Sequence, residues 1–129
     1  MGKPKTYFIM YFTSDEKKAI ARVAVGMEAA DGVESPREFL MIAPVFQKLG
    51  ITNEELEAAS RMSLVSAMQI ISNMTTDEKR FVSAFLGAII IADGDISDKE
   101  VSLWRFISSI CEFQQMSVRE SPEILKSYL

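Results

Sequence analysis

The sequence contains an internal repeat. A shift of 62 residues aligns residues 13–18 with 75–80 and residues 30–38 with 92–100, without a gap. Most of the identical residues are of the kinds that start and end helices: a Thr followed by Asp-Glu-Lys, an Ala-Asp-Gly, and a Ser-x-x-Glu. A repeat of this kind indicates one supersecondary unit used twice. The chain is therefore predicted to contain two equivalent units, over residues 13–50 and 75–112.

The first half of each unit is predicted to be a buried helix. A Thr-x-x-Glu capping box, in which a hydroxyl and a carboxylate satisfy backbone N–H groups at a helix start, begins at residue 13 and again at residue 75. The residues that follow are apolar on nearly every side, which is typical of a helix surrounded by protein. We expect two central helices over 14–30 and 76–92, each ended by Asp-Gly.

The second half of each unit is predicted to be an amphipathic helix. Ser-x-x-Glu capping boxes begin at residues 35 and 97. Apolar positions then recur at helical spacing through 36–49 and 98–111. Each unit is thus a helical hairpin.

Shorter helices are expected outside the two units. One opens at Thr52, an amphipathic segment covers Leu64–Ile71, and a third helix starts at Ser121. The segment Tyr7–Phe12 fits either a strand or a helical turn, and no second strand candidate is present to pair with it. The predicted fold is all-α, a duplicated helical-hairpin bundle of about seven helices in one domain over residues 1–129.

Composition restricts the chemistry. The chain has 129 residues, 48% of them hydrophobic, with no histidine and one cysteine. Histidine-dependent dyads, imidazole bases, His-ligated zinc and thiolate clusters are therefore excluded. No nucleophile motif, phosphate-binding loop or cofactor fingerprint is present, and we expect a protein that is not an enzyme. Cys111 falls on the apolar stripe of its helix, where cysteine acts as a small hydrophobe.

Charge and hydropathy bear on partners and location. The formal net charge is −4 and the cations are scattered, whereas nucleic-acid binding needs a basic face, so no nucleic-acid partner is expected. The longest strongly apolar run, Phe81–Ala92, is far shorter than the roughly 20 residues that span a bilayer. No secretory signal pattern is recognisable at the N-terminus. We expect a cytoplasmic protein without a transmembrane segment.

The two hairpins resemble a known family. An apolar helix ending in Ala-Asp-Gly, followed by Ser-x-x-Glu at the start of an amphipathic helix, is similar to the TerB-like domains associated with tellurite resistance. The resemblance covers about Thr13 to Gln115 and includes the duplication. It implies an all-helical duplicated bundle with two long central helices, and a non-enzymatic role linked to stress and tellurite-type resistance.

The same resemblance implies a divalent-cation site at the Asp-Gly turns. The candidate ligands are all acidic: Asp31, Glu38, Asp93, Asp95 and Glu100. Hard cations such as Ca²⁺ and Mg²⁺ take oxygen ligands, so a chain without histidine can still bind them. The alternative is structural, because aspartate and glutamate at these positions also cap the next helix.

Three functions remain open at this point. The first is a protein-interaction or scaffold domain that binds another protein through a groove between amphipathic helices. The second is a weak Ca²⁺ or Mg²⁺ sensor that uses the acidic turns. The third, an enzyme built on a carboxylate pair, has the least support. The sequence does not specify the oligomeric state.

Overall fold

In a computed structural model of the chain, residues 11–30, 32, 36–92 and 94–129 are described. Over these ranges the protein contains helices and no strand, which confirms the all-α prediction. The described part forms seven helices: α1 (Ser14–Ala29), α2 (Pro36–Leu49), α3 (Asn53–Arg61), α4 (Leu64–Ser72), α5 (Thr76–Ile91), α6 (Asp98–Cys111) and α7 (Ser121–Lys126). Residues 1–10, which include most of the ambiguous segment Tyr7–Phe12, lie outside the described ranges.

The helix bounds follow the sequence repeat. α1 and α5 each have 16 residues, and α2 and α6 each have 14. Within both pairs the second helix begins 62 residues after the first. The predicted ranges for α2 and α6 match the observed ones, and those for α1 and α5 differ by one residue at the C-terminal end.

Capping boxes start both long apolar helices. At α1 the Glu16 N–H donates to Thr13 Oγ1 at 3.1 Å, and the Thr13 N–H donates to Glu16 Oε1 at 2.8 Å. At α5 the equivalent bonds join Glu78 and Thr75 at 3.2 and 2.9 Å. These reciprocal bonds satisfy N–H groups that have no partner within the helix, which explains why both helices begin where they do.

α1 and α5 lie at the centre of the bundle. α1 packs against α2, α3, α4, α5 and α6, and α5 packs against α1, α2, α6 and α7. Every residue from Phe81 to Ile90 is buried, as expected for a helix that is apolar on all sides. The ring of Phe81 lies 6.2 Å from that of Phe85, which meets Phe46 of α2 edge-on at 6.1 Å. α5 is thus buried as predicted, whereas α1 packs against five helices but leaves Val25 49% exposed.

Two hydrogen bonds hold α6 against its neighbours. The Trp104 indole N–H donates to the carbonyl of Ser83 in α5 at 3.1 Å. The Cys111 thiol is fully buried and donates to the carbonyl of Met68 in α4, with 3.6 Å between the sulfur and the oxygen. Both side chains are in the core, as predicted for Cys111. Trp104, Ile107 and Cys111 thus form the buried face of α6, and Val101 and Leu103 also pack against the core.

α7 approaches α5 closely at a glycine. A Cβ atom at Gly87 would lie 2.6 Å from Ser121 Oγ and 2.7 Å from Ser121 Cβ. Such distances are shorter than van der Waals contact, so only glycine fits at this position of α5. The small residue thus allows the C-terminal helix to pack on the core.

None of the helices in the described ranges is long and apolar enough to cross a membrane.

Candidate functional site

The acidic residues singled out in the sequence fall in two environments. Glu38 and Glu100 lie in the first turns of α2 and α6 and are almost completely buried, with 2% and 1% of their surface exposed. Asp95 is exposed. Asp31 and Asp93 lie outside the described residues, so the structure does not place them relative to the other three.

The start of α6 departs from the predicted capping box. The Glu100 N–H donates to Ser97 Oγ at 3.3 Å, which is the first of the two bonds of a box. In the described part of the chain, the return bond from the Ser97 N–H to the Glu100 carboxylate does not form. The full box predicted at Ser97-x-x-Glu100 is therefore wrong in its second half. Ser35, the cap predicted for α2, lies outside the described residues.

The glutamates at the helix starts differ in burial. Glu16 and Glu78 are half-buried beside their threonine caps, whereas Glu38 and Glu100 are buried in the bundle. Glu55, which forms a complete capping box with Thr52, is also buried. A carboxylate is costly to bury and is retained in a core only with polar interactions. Burial of Glu38 and Glu100 is therefore compatible with a structural role as well as with a cation site.

A metal centre is not assembled within the described ranges. Among those residues, no three Asp, Glu or Cys side chains come together as ligands for an ion. Two of the five candidate ligands lie outside these ranges, and the cation site stays a prediction.

Cys111 has the surroundings of a core residue rather than a nucleophile. Its burial raises the pKa of the thiol above the ordinary value. The thiolate is the reactive form of cysteine, so a raised pKa leaves little of it at neutral pH.

A groove lies beside α6, between that helix and the segment after it, whereas the sequence predicts one between two amphipathic helices. It has a volume of about 820 Å³ and lies between α6 and the segment 112–120, which follows the second repeat unit. Its apolar walls are Val101, Trp104, Phe113, Met116 and Val118. Serine and glutamine side chains and two charged residues make up the rest: Ser83, Ser108, Ser109, Gln114, Gln115, Ser117, Arg105 and Glu120.

The outward side of α6 carries exposed apolar residues. Phe106 and Ile110 are four residues apart, which places them on the same face of the helix. Each leaves 50% of its surface exposed. We call this pair the outer face of α6. Other large apolar residues are also exposed, on α2 (Phe39 and Leu40) and on α4 (Val65).

The sequence contained a signal for this outer face. An amphipathic helix normally has one apolar stripe, and α6 has its inward stripe at Trp104, Ile107 and Cys111. Phe106 and Ile110 lie off that stripe, so large apolar residues are present on two sides of α6. The groove had no comparable signal, because residues 113–120 show neither helical nor strand periodicity.

Comparison with known proteins identifies a relative but no activity. No family model matches the chain, and no curated protein matches it. The crystal structure of PG1108, a protein of unknown function from Porphyromonas gingivalis W83, matches with a TM-score of 0.78 and 33% sequence identity. The match covers 91% of this chain and 99% of that one. The resemblance of the Asp-Gly turns to TerB-like domains stays a prediction. The chain belongs to the same family as PG1108 of Porphyromonas gingivalis.

Proposed function

We propose that this protein is a non-enzymatic interaction module that binds another protein across α6, in a cytoplasmic stress response of the tellurite-resistance type. The observation that carries the proposal is the outer face of α6. The cellular setting rests on the resemblance to TerB-like domains.

The outer face supports binding because it exposes large apolar side chains on a well-anchored element. Phe106 and Ile110 contribute apolar area at adjacent turns of a helix that Trp104 holds against α5. Burying such side chains contributes about 25 cal/mol for each Å² of apolar surface removed from water. Large exposed apolar patches on folded proteins mark surfaces where partners bind, and Phe106 and Ile110 lie side by side rather than singly.

The neighbouring groove supports a protein as the partner. Val101, Trp104 and Arg105 of α6 line it, so the same helix borders both the groove and the outer face. The groove combines apolar walls with serine and glutamine groups that can donate and accept hydrogen bonds. Protein interfaces have this composition, with an apolar centre and polar groups around it.

Affinity capture with matched variants tests this proposal. Phe106→Ser combined with Ile110→Ser removes the outer face, and Phe39→Ser combined with Leu40→Ser removes a similarly exposed pair from α2. We expect the α6 variant to lose a protein that the wild type and the α2 variant both retain. If the α6 variant keeps every partner of the wild type while remaining folded by circular dichroism, the proposal is wrong.

A second candidate function is weak binding of Ca²⁺ or Mg²⁺ at the Asp-Gly turns. The observation in its favour is the burial of Glu38 and Glu100 at equivalent positions of the two units. Carboxylate oxygens suit hard cations. Asp31, Asp93 and Asp95 would supply the other ligands. A buried carboxylate that serves only the fold would give the same burial, so the two explanations need separate measurements.

Calorimetry with CaCl₂, MgCl₂ and MnCl₂ distinguishes cation binding from a purely structural role of the buried carboxylates. If the turns bind a cation, the wild type releases or absorbs heat, and Asp95→Asn and Glu100→Gln each weaken the signal. Glu78→Gln, which alters a capping glutamate away from these turns, serves as the control and leaves binding unchanged. Absence of heat from the wild type at millimolar cation would leave the structural explanation.

A further inference from the structure

We draw no further inference here: the strongest candidate, the groove between α6 and residues 112–120 together with the exposed Phe106 and Ile110, belongs to the site already described, and nothing in the structure shows what covers it.

Discussion

Glu112 adopts after α6 the left-handed backbone conformation that Gly50 adopts after α2, 62 residues earlier. Their φ angles are 58° and 70°. In both places the next N–H donates back into the last turn: Ile51 to the carbonyl of Phe46 at 3.1 Å, and Phe113 to that of Ser108 at 2.9 Å. The two helices therefore end in the same way, once with a glycine and once with a residue for which this conformation is unfavourable.

Replacing Glu112 by glycine is expected to stabilise the protein. The left-handed conformation costs a residue with a Cβ about 1–2 kcal/mol, and glycine removes that cost. Glycine also adds freedom to the unfolded chain, which offsets about 0.4–1 kcal/mol of this gain. The free energy of unfolding should therefore rise by up to about 1 kcal/mol. Urea denaturation measures it. Gly50→Ala is the matched control and should lose about 1–2 kcal/mol. A Glu112→Gly variant less stable than the wild type would contradict this explanation.

Substitution of Gly87 by alanine is expected to destabilise the packing of α7. The added methyl group would overlap Ser121, whose side chain is buried, and either α7 or the Ser121 side chain has to move. Overpacking of this kind costs about 1–3 kcal/mol. Thermal unfolding followed by circular dichroism gives the change.

Gly26→Ala in α1 provides the comparison. A Cβ there would meet only Nη1 of Arg22, at 2.9 Å, which is the far end of a flexible side chain. Because alanine also favours a helix interior over glycine, we expect no loss of stability and a gain of up to about 1 kcal/mol. Equal losses in the two variants would show that the close approach of Ser121 is not the cause.

The Ser14–Glu55 hydrogen bond links α1 to α3 and makes part of the stability depend on pH. Ser14 Oγ donates to Glu55 Oε2 at 2.6 Å, and the Thr52 N–H donates to Oε1 at 2.9 Å. These bonds hold the pKa of Glu55 below its ordinary value of 4.5, and the bond from Ser14 has the largest effect. Since the pKa is lower in the folded state, the contribution is present above pH 4.5 and is lost as the pH falls through the folded-state pKa.

Ser14→Ala should therefore be less stable than the wild type at neutral pH, and the difference should shrink in acid. Urea unfolding at about pH 7 and about pH 3 measures both values. Glu55→Gln, which does not titrate, is the control and should lack this component of the acid destabilisation. A Ser14→Ala deficit of the same size at both pH values would contradict the linkage.

Cys111 is expected to report opening of the bundle. It is the chain's one cysteine, it is fully buried, and burial raises the pKa of its thiol. A thiol reagent such as dithionitrobenzoate should react slowly with the native protein, at a rate that rises with urea as unfolding does. Complete reaction within the mixing time, without denaturant, would show that the α4–α6 contact is open in solution.

Local sequence signals predict the helices well because each helix end is determined by residues within a few positions of it. The capping threonines and the Asp-Gly pairs act within a few residues, so their positions fix α1 and α5 almost to the residue. Burial of Phe81–Ile90 follows equally from the absence of a polar side in that stretch.

The sequence was a weaker guide to contacts between helices. Nε of Arg22 in α1 donates to the carbonyl of Met62, just after α3, at 2.7 Å. Composition and residue spacing do not predict a hydrogen bond to a backbone carbonyl 40 residues away. At Glu100, the Ser-x-x-Glu spacing predicts a complete capping box, and among the described residues the bond from the Glu100 N–H to Ser97 Oγ is the half that forms. At Glu112, the repeat gives the position but not the residue type that a left-handed helix end favours.

Site-specific photo-crosslinking in cells is the most direct test of the proposed interface on α6. A photoreactive phenylalanine analogue replaces Phe106 in one variant and Leu40, which is more exposed, in another. We predict that position 106 forms a covalent adduct with a defined second protein, identified by mass spectrometry, and that position 40 does not. No adduct from position 106, or the same adducts in equal yield from both positions, would contradict the assignment of α6 as the binding surface.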